Sequence, residues 1–113
     1  MQIIHNPRCS KSRQTLKILT DRGIEPEVIL YLKEPLTEKR LGEIIKMLGI
    51  KPHDLIRTTE EVYRSEFKGK DLTDEQWIEA MIAHPKLIER PIVIEGDKAV
   101  LGRPPEKVIE LIK

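Results

Sequence analysis

Apolar residues fall at spacings that change along the chain. Leu41, Ile44, Ile45 and Leu48 recur at i, i+3, i+4 and i+7, the strongest helical period in the sequence. Thr37 is placed to cap that helix and Gly49 to end it. Thr73-Asp74-Glu75-Gln76 matches a capping box. It predicts a second helix that buries Trp77, Ile78, Met81 and Ile82 and stops before Pro85. Near the N-terminus, Gln2 to His5 reads as a short strand. Asn6-Pro7 stops it, because Pro7 lacks an N–H and biases Asn6 toward extended geometry. A helix is expected from Cys9 or Ser10 to Arg22, with Ser12, Leu16 and Leu19 on one face and Gly23 as its left-handed cap. Glu27 to Leu32 is rich in strand formers and predicts a second strand. Pro52 to Ile56 and Glu60 to Phe67 read as short helical pieces, and Lys68 to Asp71 as a polar loop. Pro91 to Glu95 and Ala99 to Gly102 are expected to pair as a hairpin across Gly96-Asp97. Pro104-Pro105 then opens a final helix through Leu111, with Val108, Ile109 and Ile112 inward.

The order is βαβ, a helical middle, then ββα. The expected class is therefore α/β, with a mixed sheet of about four strands. This is the thioredoxin order, with a helical insertion over about residues 36–88 between its halves, in a single domain spanning 1–113. Composition agrees with one domain. The chain has 113 residues, 39% hydrophobic and 35% charged, enough for a core without metal or disulfide support. The formal net charge of +1 argues against a general nucleic-acid or membrane-surface binder, which needs a basic excess. It leaves room for a local cationic pocket.

The single cysteine, Cys9, excludes an internal disulfide and a multi-cysteine zinc site. His53 and His84 have no ligand at metal spacing and read as surface or capping residues, so no metal is expected. No apolar run approaches the length that spans a bilayer. Met1 to Pro7 is too short and polar for a secretory signal, and a free thiol suits the reducing cytoplasm. With no apolar stripe left over after the core is assigned, a monomer is the expected state.

Cys9 lies where a strand gives way to a helix. Unpaired N–H groups and the helix dipole favour negative charge there, and Arg8 and Lys11 flank it. It is either a reactive thiol or a small buried core residue. Ser12 makes the pattern C-x-x-S: it either donates to the sulfur or is an ordinary first-turn serine. His5 either orients the thiol and aids its deprotonation or bonds to local backbone. Arg57, Arg90 and Arg103 each sit at an element end. They are either solvated or together form a pocket for a tetrahedral oxyanion.

Four separated segments give these residues a family context: His5 through Leu16, Leu55-Ile56-Arg57, Arg90 through Val93, and Gly102-Arg103-Pro104. In this order they resemble the glutaredoxin-coupled arsenate reductase family, of thioredoxin-like fold, nearly end to end. The resemblance implies that Cys9 is the nucleophile, with His5 and Ser12 supporting its thiolate. It implies that Arg57, Arg90 and Arg103 hold arsenate, and that Pro91 is a cis-proline beside the site. No bound cofactor is implied. Glutathione would serve as co-substrate and glutaredoxin as the partner that resolves the mixed disulfide. Arg8, Ser10 and Lys11 stand where the best-known members carry small neutral residues. Two other readings share the fold. One is a monothiol glutathione-dependent thiol-disulfide oxidoreductase without arsenate activity. The other is a Spx-like regulator that contacts RNA polymerase, whose usual C-x-x-C switch Ser12 does not supply.

Overall fold

The computed structural model describes residues 1–112. The strand β1 (Gln2–Ile4) is only three residues long, yet it pairs on both sides. It runs parallel to β2 (Glu27–Ile29), with Ile3 opposite Val28, and antiparallel to β3 (Ile92–Glu95), with Ile3 opposite Val93. The last strand, β4 (Lys98–Leu101), pairs antiparallel with β3, so the sheet order is β2-β1-β3-β4. The hairpin turns through Gly96-Asp97, and Gly96 takes the positive φ of 60° that this turn needs. Between β1 and β2 lies α1 (Ser10–Asp21), long enough to carry the chain back for a parallel pairing. This mixed sheet with flanking helices is a thioredoxin-like fold, with a helical segment inserted between its βαβ and ββα parts.

The strand β2 ends at Ile29 rather than at Leu32. Its one neighbour is β1, and β1 stops pairing at the Asn6-Pro7 break. The last ladder bond runs from the His5 N–H to the Ile29 carbonyl at 2.9 Å. Past it, Lys33 and Glu34 donate backwards to the Leu30 carbonyl and make a turn.

The chain divides into two compact units. The sheet unit comprises Met1–Glu34 and the chain from Arg90 onward. Strand alternation sends Ile3 and Val93 to one face, where they pack with Leu19 of α1 and Val108. The final segment, Pro105–Leu111, is a 3-10 helix rather than an α-helix. Its first two prolines, Pro104 and Pro105, have no N–H to give, and the first bond made is the tight one from Lys107 to the Pro104 carbonyl. The three-residue period then turns Pro105 and Val108 inward, with Leu111 and Ile112 against the same cluster, and leaves Ile109 half-buried.

The helical unit, Pro35–Glu89, holds α2 (Glu38–Leu48) and α3 (Asp74–Ala83). Thr37 accepts from the Arg40 N–H, and Gly49 closes α2 at a positive φ of 70°. The capping box at α3 is complete, with Thr73 and Gln76 each accepting from the other's backbone N–H. Leu41, Ile44 and Ile45 of α2 are buried, as are Trp77, Ala80 and Met81 of α3. Ile78 and Ile82, expected inside, are half-buried. Pro52–Leu55 forms a 3-10 turn, and Tyr63–Phe67 a π-turn closed by the Lys68 N–H on the Tyr63 carbonyl.

Candidate active site

The end of β1 and the start of α1 are tied by one residue, Asn6. Its side-chain oxygen accepts from the Arg8 N–H at 3.0 Å, and its carbonyl accepts from the Cys9 N–H at 3.0 Å. This Asx-type turn swings the chain through Pro7 and leaves Cys9 at the N-cap of α1, in extended geometry. The Cys9 carbonyl accepts the first helical bond, from Arg13. The sulfur thus sits where the helix presents unpaired N–H groups.

Burial alone would push the Cys9 thiol up, and it is the largest single influence. The backbone N–H groups of Ser12 and Lys11 and the Arg90 guanidinium together outweigh it, so the thiol lies below its ordinary value. Each of these donors favours the charged form of the sulfur.

Ser12 is fully buried, and its hydroxyl points back to the strand end rather than to the sulfur. Its Oγ accepts from the Asn6 N–H at 3.1 Å and lies 2.5 Å from Nδ1 of His5. The direction of that second bond follows the imidazole tautomer. Ser12 thus meets Cys9 through its backbone N–H, and its side chain locks His5 to the turn. His5 is itself buried, and burial is the first cause of its lowered pKa, with the nearby Arg13 charge second. Both keep the ring neutral. Arg13 also holds the Pro7 carbonyl at 2.9 Å.

Arg90 is only 8% exposed, and its carbonyl accepts from Nη1 of Arg103 at 3.1 Å. The structure thus brings Arg90 to Cys9 and Arg103 to Arg90. The Arg90–Pro91 bond is cis, and so is Arg103–Pro104, which nothing in the sequence announced. Gly102 joins these pieces. Its N–H reaches the Pro91 carbonyl at 2.8 Å, and a Cβ there would lie 2.6 Å from Thr15 Oγ1 and 2.8 Å from Pro91 Cγ. Only glycine lets the end of β4 approach α1 and Pro91 so closely. A glycine at the end of an expected strand was the available signal.

Arg57 belongs to the helical unit. Its N–H donates to the Leu87 carbonyl at 2.7 Å, and its Nε stands 3.6 Å from Glu60 Oε1. His53 and His84 pack on aromatic rings, edge-on to Trp77 and Phe67 respectively, and His84 also ends α3. Among the described residues, no three His, Cys, Asp or Glu side chains gather as metal ligands. No helix among the described residues is long and apolar enough to cross a membrane. What the sheet unit offers is a thiol with a lowered pKa beside a buried guanidinium: a candidate nucleophile next to an anion-binding group.

Comparison with known proteins follows the same lines. A model of the ArsC family matches residues 4–111. The chain is 46% identical over 112 residues to an arsenate reductase of Haemophilus influenzae, covering 97% of each. It is also 46% identical over 114 residues to the uncharacterized protein YfgD of Escherichia coli, covering 99% of this chain and 96% of that one. Among solved structures, an arsenate reductase from Vibrio cholerae superimposes with a TM-score of 0.93 at 44% identity, covering 96% of this chain and 94% of that one.

Proposed function

This chain belongs to the ArsC family, and from that premise we propose that it reduces arsenate to arsenite with Cys9 as the nucleophile. The observation that carries the reading is the placement of a lone cysteine at the N-cap of α1 beside the buried Arg90, an arrangement that lowers the thiol's pKa. Arsenate is a tetrahedral dianion and suits guanidinium forks. Arg90 and Arg103 bind it and offset its repulsion from the thiolate. Arg57 enters this proposal on the sequence match of Leu55-Ile56-Arg57. His5 and Ser12 are positioning residues: their shared bond, with the Asn6 N–H, fixes the turn on which Cys9 stands.

In the first step the Cys9 thiolate attacks arsenic, and an arsenate hydroxyl takes a proton from solvent and leaves as water, giving a Cys9–S–As(V) adduct. Reduction needs two electrons, and Cys9 is the only thiol in the chain. Glutathione supplies the second. Its thiolate attacks the Cys9 sulfur, the S–As bond pair passes to arsenic, and arsenite departs at the As(III) level. The resulting Cys9–glutathione disulfide is opened by a glutaredoxin thiol, which takes the glutathionyl group and frees Cys9. With glutathione and glutaredoxin as external reductants this scheme calls for no bound cofactor, and the chemistry suits a reducing cytoplasm.

A coupled assay with arsenate, glutathione, glutaredoxin and NADPH tests this reading. Turnover by the wild type and none by Cys9→Ser is the expected result. A wild-type protein that turns over glutathionylated disulfides but not arsenate would instead establish the thiol-disulfide oxidoreductase, which uses the same lone thiol.

A further inference from the structure

A pocket of about 200 Å³ opens beside the nucleophile's turn. Pro7 and Arg8, the two residues before Cys9, form one side, and Leu30, Leu32 and Lys33, from the turn after β2, form another. Its surface is mainly apolar, and Leu32 is 41% exposed, unusual for a leucine in a chain with so few bare apolar side chains. Arg8 and Lys33 are exposed, and among the described residues neither makes an ion pair. Two other cavities are acidic on balance. One sets Glu60, Glu61 and Glu66 against Lys86, and another sets Glu38, Glu75 and Glu79 against Lys39. An anion is repelled from those and drawn to this one.

The pocket therefore calls for a small anionic ligand with an apolar stretch and a reason to lie beside Cys9. Glutathione meets all three conditions. It carries two carboxylates against one ammonium, has a short peptide body, and bears a thiol that must reach the Cys9 sulfur. We infer that this pocket binds the tripeptide of glutathione, with its carboxylates toward Arg8 and Lys33. The inference rests on the reading above that glutathione supplies the second thiol.

The test uses oxidised glutathione and needs no arsenate. The Cys9 thiolate attacks one sulfur of that disulfide, forms the Cys9–glutathione disulfide and releases one glutathione thiolate. Dipyridyl disulfide, which is uncharged, reports the intrinsic reactivity of Cys9. Lys33 is remote in sequence from Cys9 and exposed, so Lys33→Met and Lys33→Glu should fold. The rate with oxidised glutathione is expected to fall roughly fivefold in Lys33→Met and further in Lys33→Glu, with the difference shrinking in high salt. The rate with dipyridyl disulfide should stay the same. Equal losses with both disulfides, or no loss with either, would overturn the assignment. A wild type inert to arsenate but showing the Lys33 effect would sink the reductase reading and leave the pocket standing.

Discussion

The sheet unit and the helical unit are built on different terms. Every buried polar or charged residue described, His5, Asn6, Ser12, Thr15 and Arg90, belongs to the sheet unit, and the helical unit has none. The helical unit buries Leu41, Ile44, Ile45, Leu55, Trp77 and Met81, with its aromatic rings gathered on Trp77. Burying polar groups is unfavourable unless each is hydrogen-bonded. The sheet unit accepts that constraint where β1 turns into α1 and where β3 begins. A fold that wanted stability alone would fill those places with aliphatic residues. Three of them, His5, Asn6 and Ser12, tie together the turn that presents Cys9, and Arg90 reaches its sulfur, which points to chemistry.

Ile44→Ala in the helical unit opens a cavity in a fully buried site and should lower stability by about 2–5 kcal/mol, measured by denaturant unfolding. Ser12→Ala leaves the Asn6 N–H and the His5 ring without their partner. It should lower stability by about 1–3 kcal/mol and also slow Cys9 alkylation near neutral pH, because the turn that presents the sulfur loosens. A loss of stability with unchanged alkylation would reduce Ser12 to a packing residue. Thr73→Ala removes one cap from α3 and should lower stability by about 1 kcal/mol, with no effect on thiol chemistry.

Acid should act on the sheet unit through two groups. His5 titrates below its ordinary value in the folded state, so the unfolded chain takes up a proton first as pH falls. Its contribution to stability is complete above about 6.5 and is lost as pH falls through the folded value. Cys9 has the same sign at higher pH. Its contribution is complete above about 8.5 and is lost as pH falls through its own lowered value. Urea unfolding at stepped pH should therefore show stability falling on acidification. His5→Gln should remove the lower of the two contributions.

The sequence made local features legible and non-local ones obscure. The capping box at Thr73 and the period of α2 are complete within a few residues, so pattern alone located them. The hairpin at Gly96-Asp97 was legible for the same reason. The end of β2 was not, because it depends on where β1 stops pairing. At the candidate site, the strand-helix junction placed Cys9 at a helix N-terminus from sequence alone. The Ser12 hydroxyl was harder. C-x-x-S spacing brings Ser12 to the same helix turn as Cys9, but its rotamer is decided by His5 and Asn6 at the strand end. The close approach at Gly102 is set by Thr15 and Pro91, which are distant in sequence.

Convergent donors from α1 and from Arg90 favour the anionic form of the Cys9 sulfur. The most direct measurement is the pH dependence of Cys9 alkylation, followed by thiolate absorbance, in the wild type and in Arg90→Lys and Arg90→Met. The wild-type pKa is expected below the ordinary cysteine value, with a partial rise in Arg90→Lys and a larger one in Arg90→Met. A wild-type value at or above about 8.5, or one that neither folded Arg90 variant changes, would contradict it.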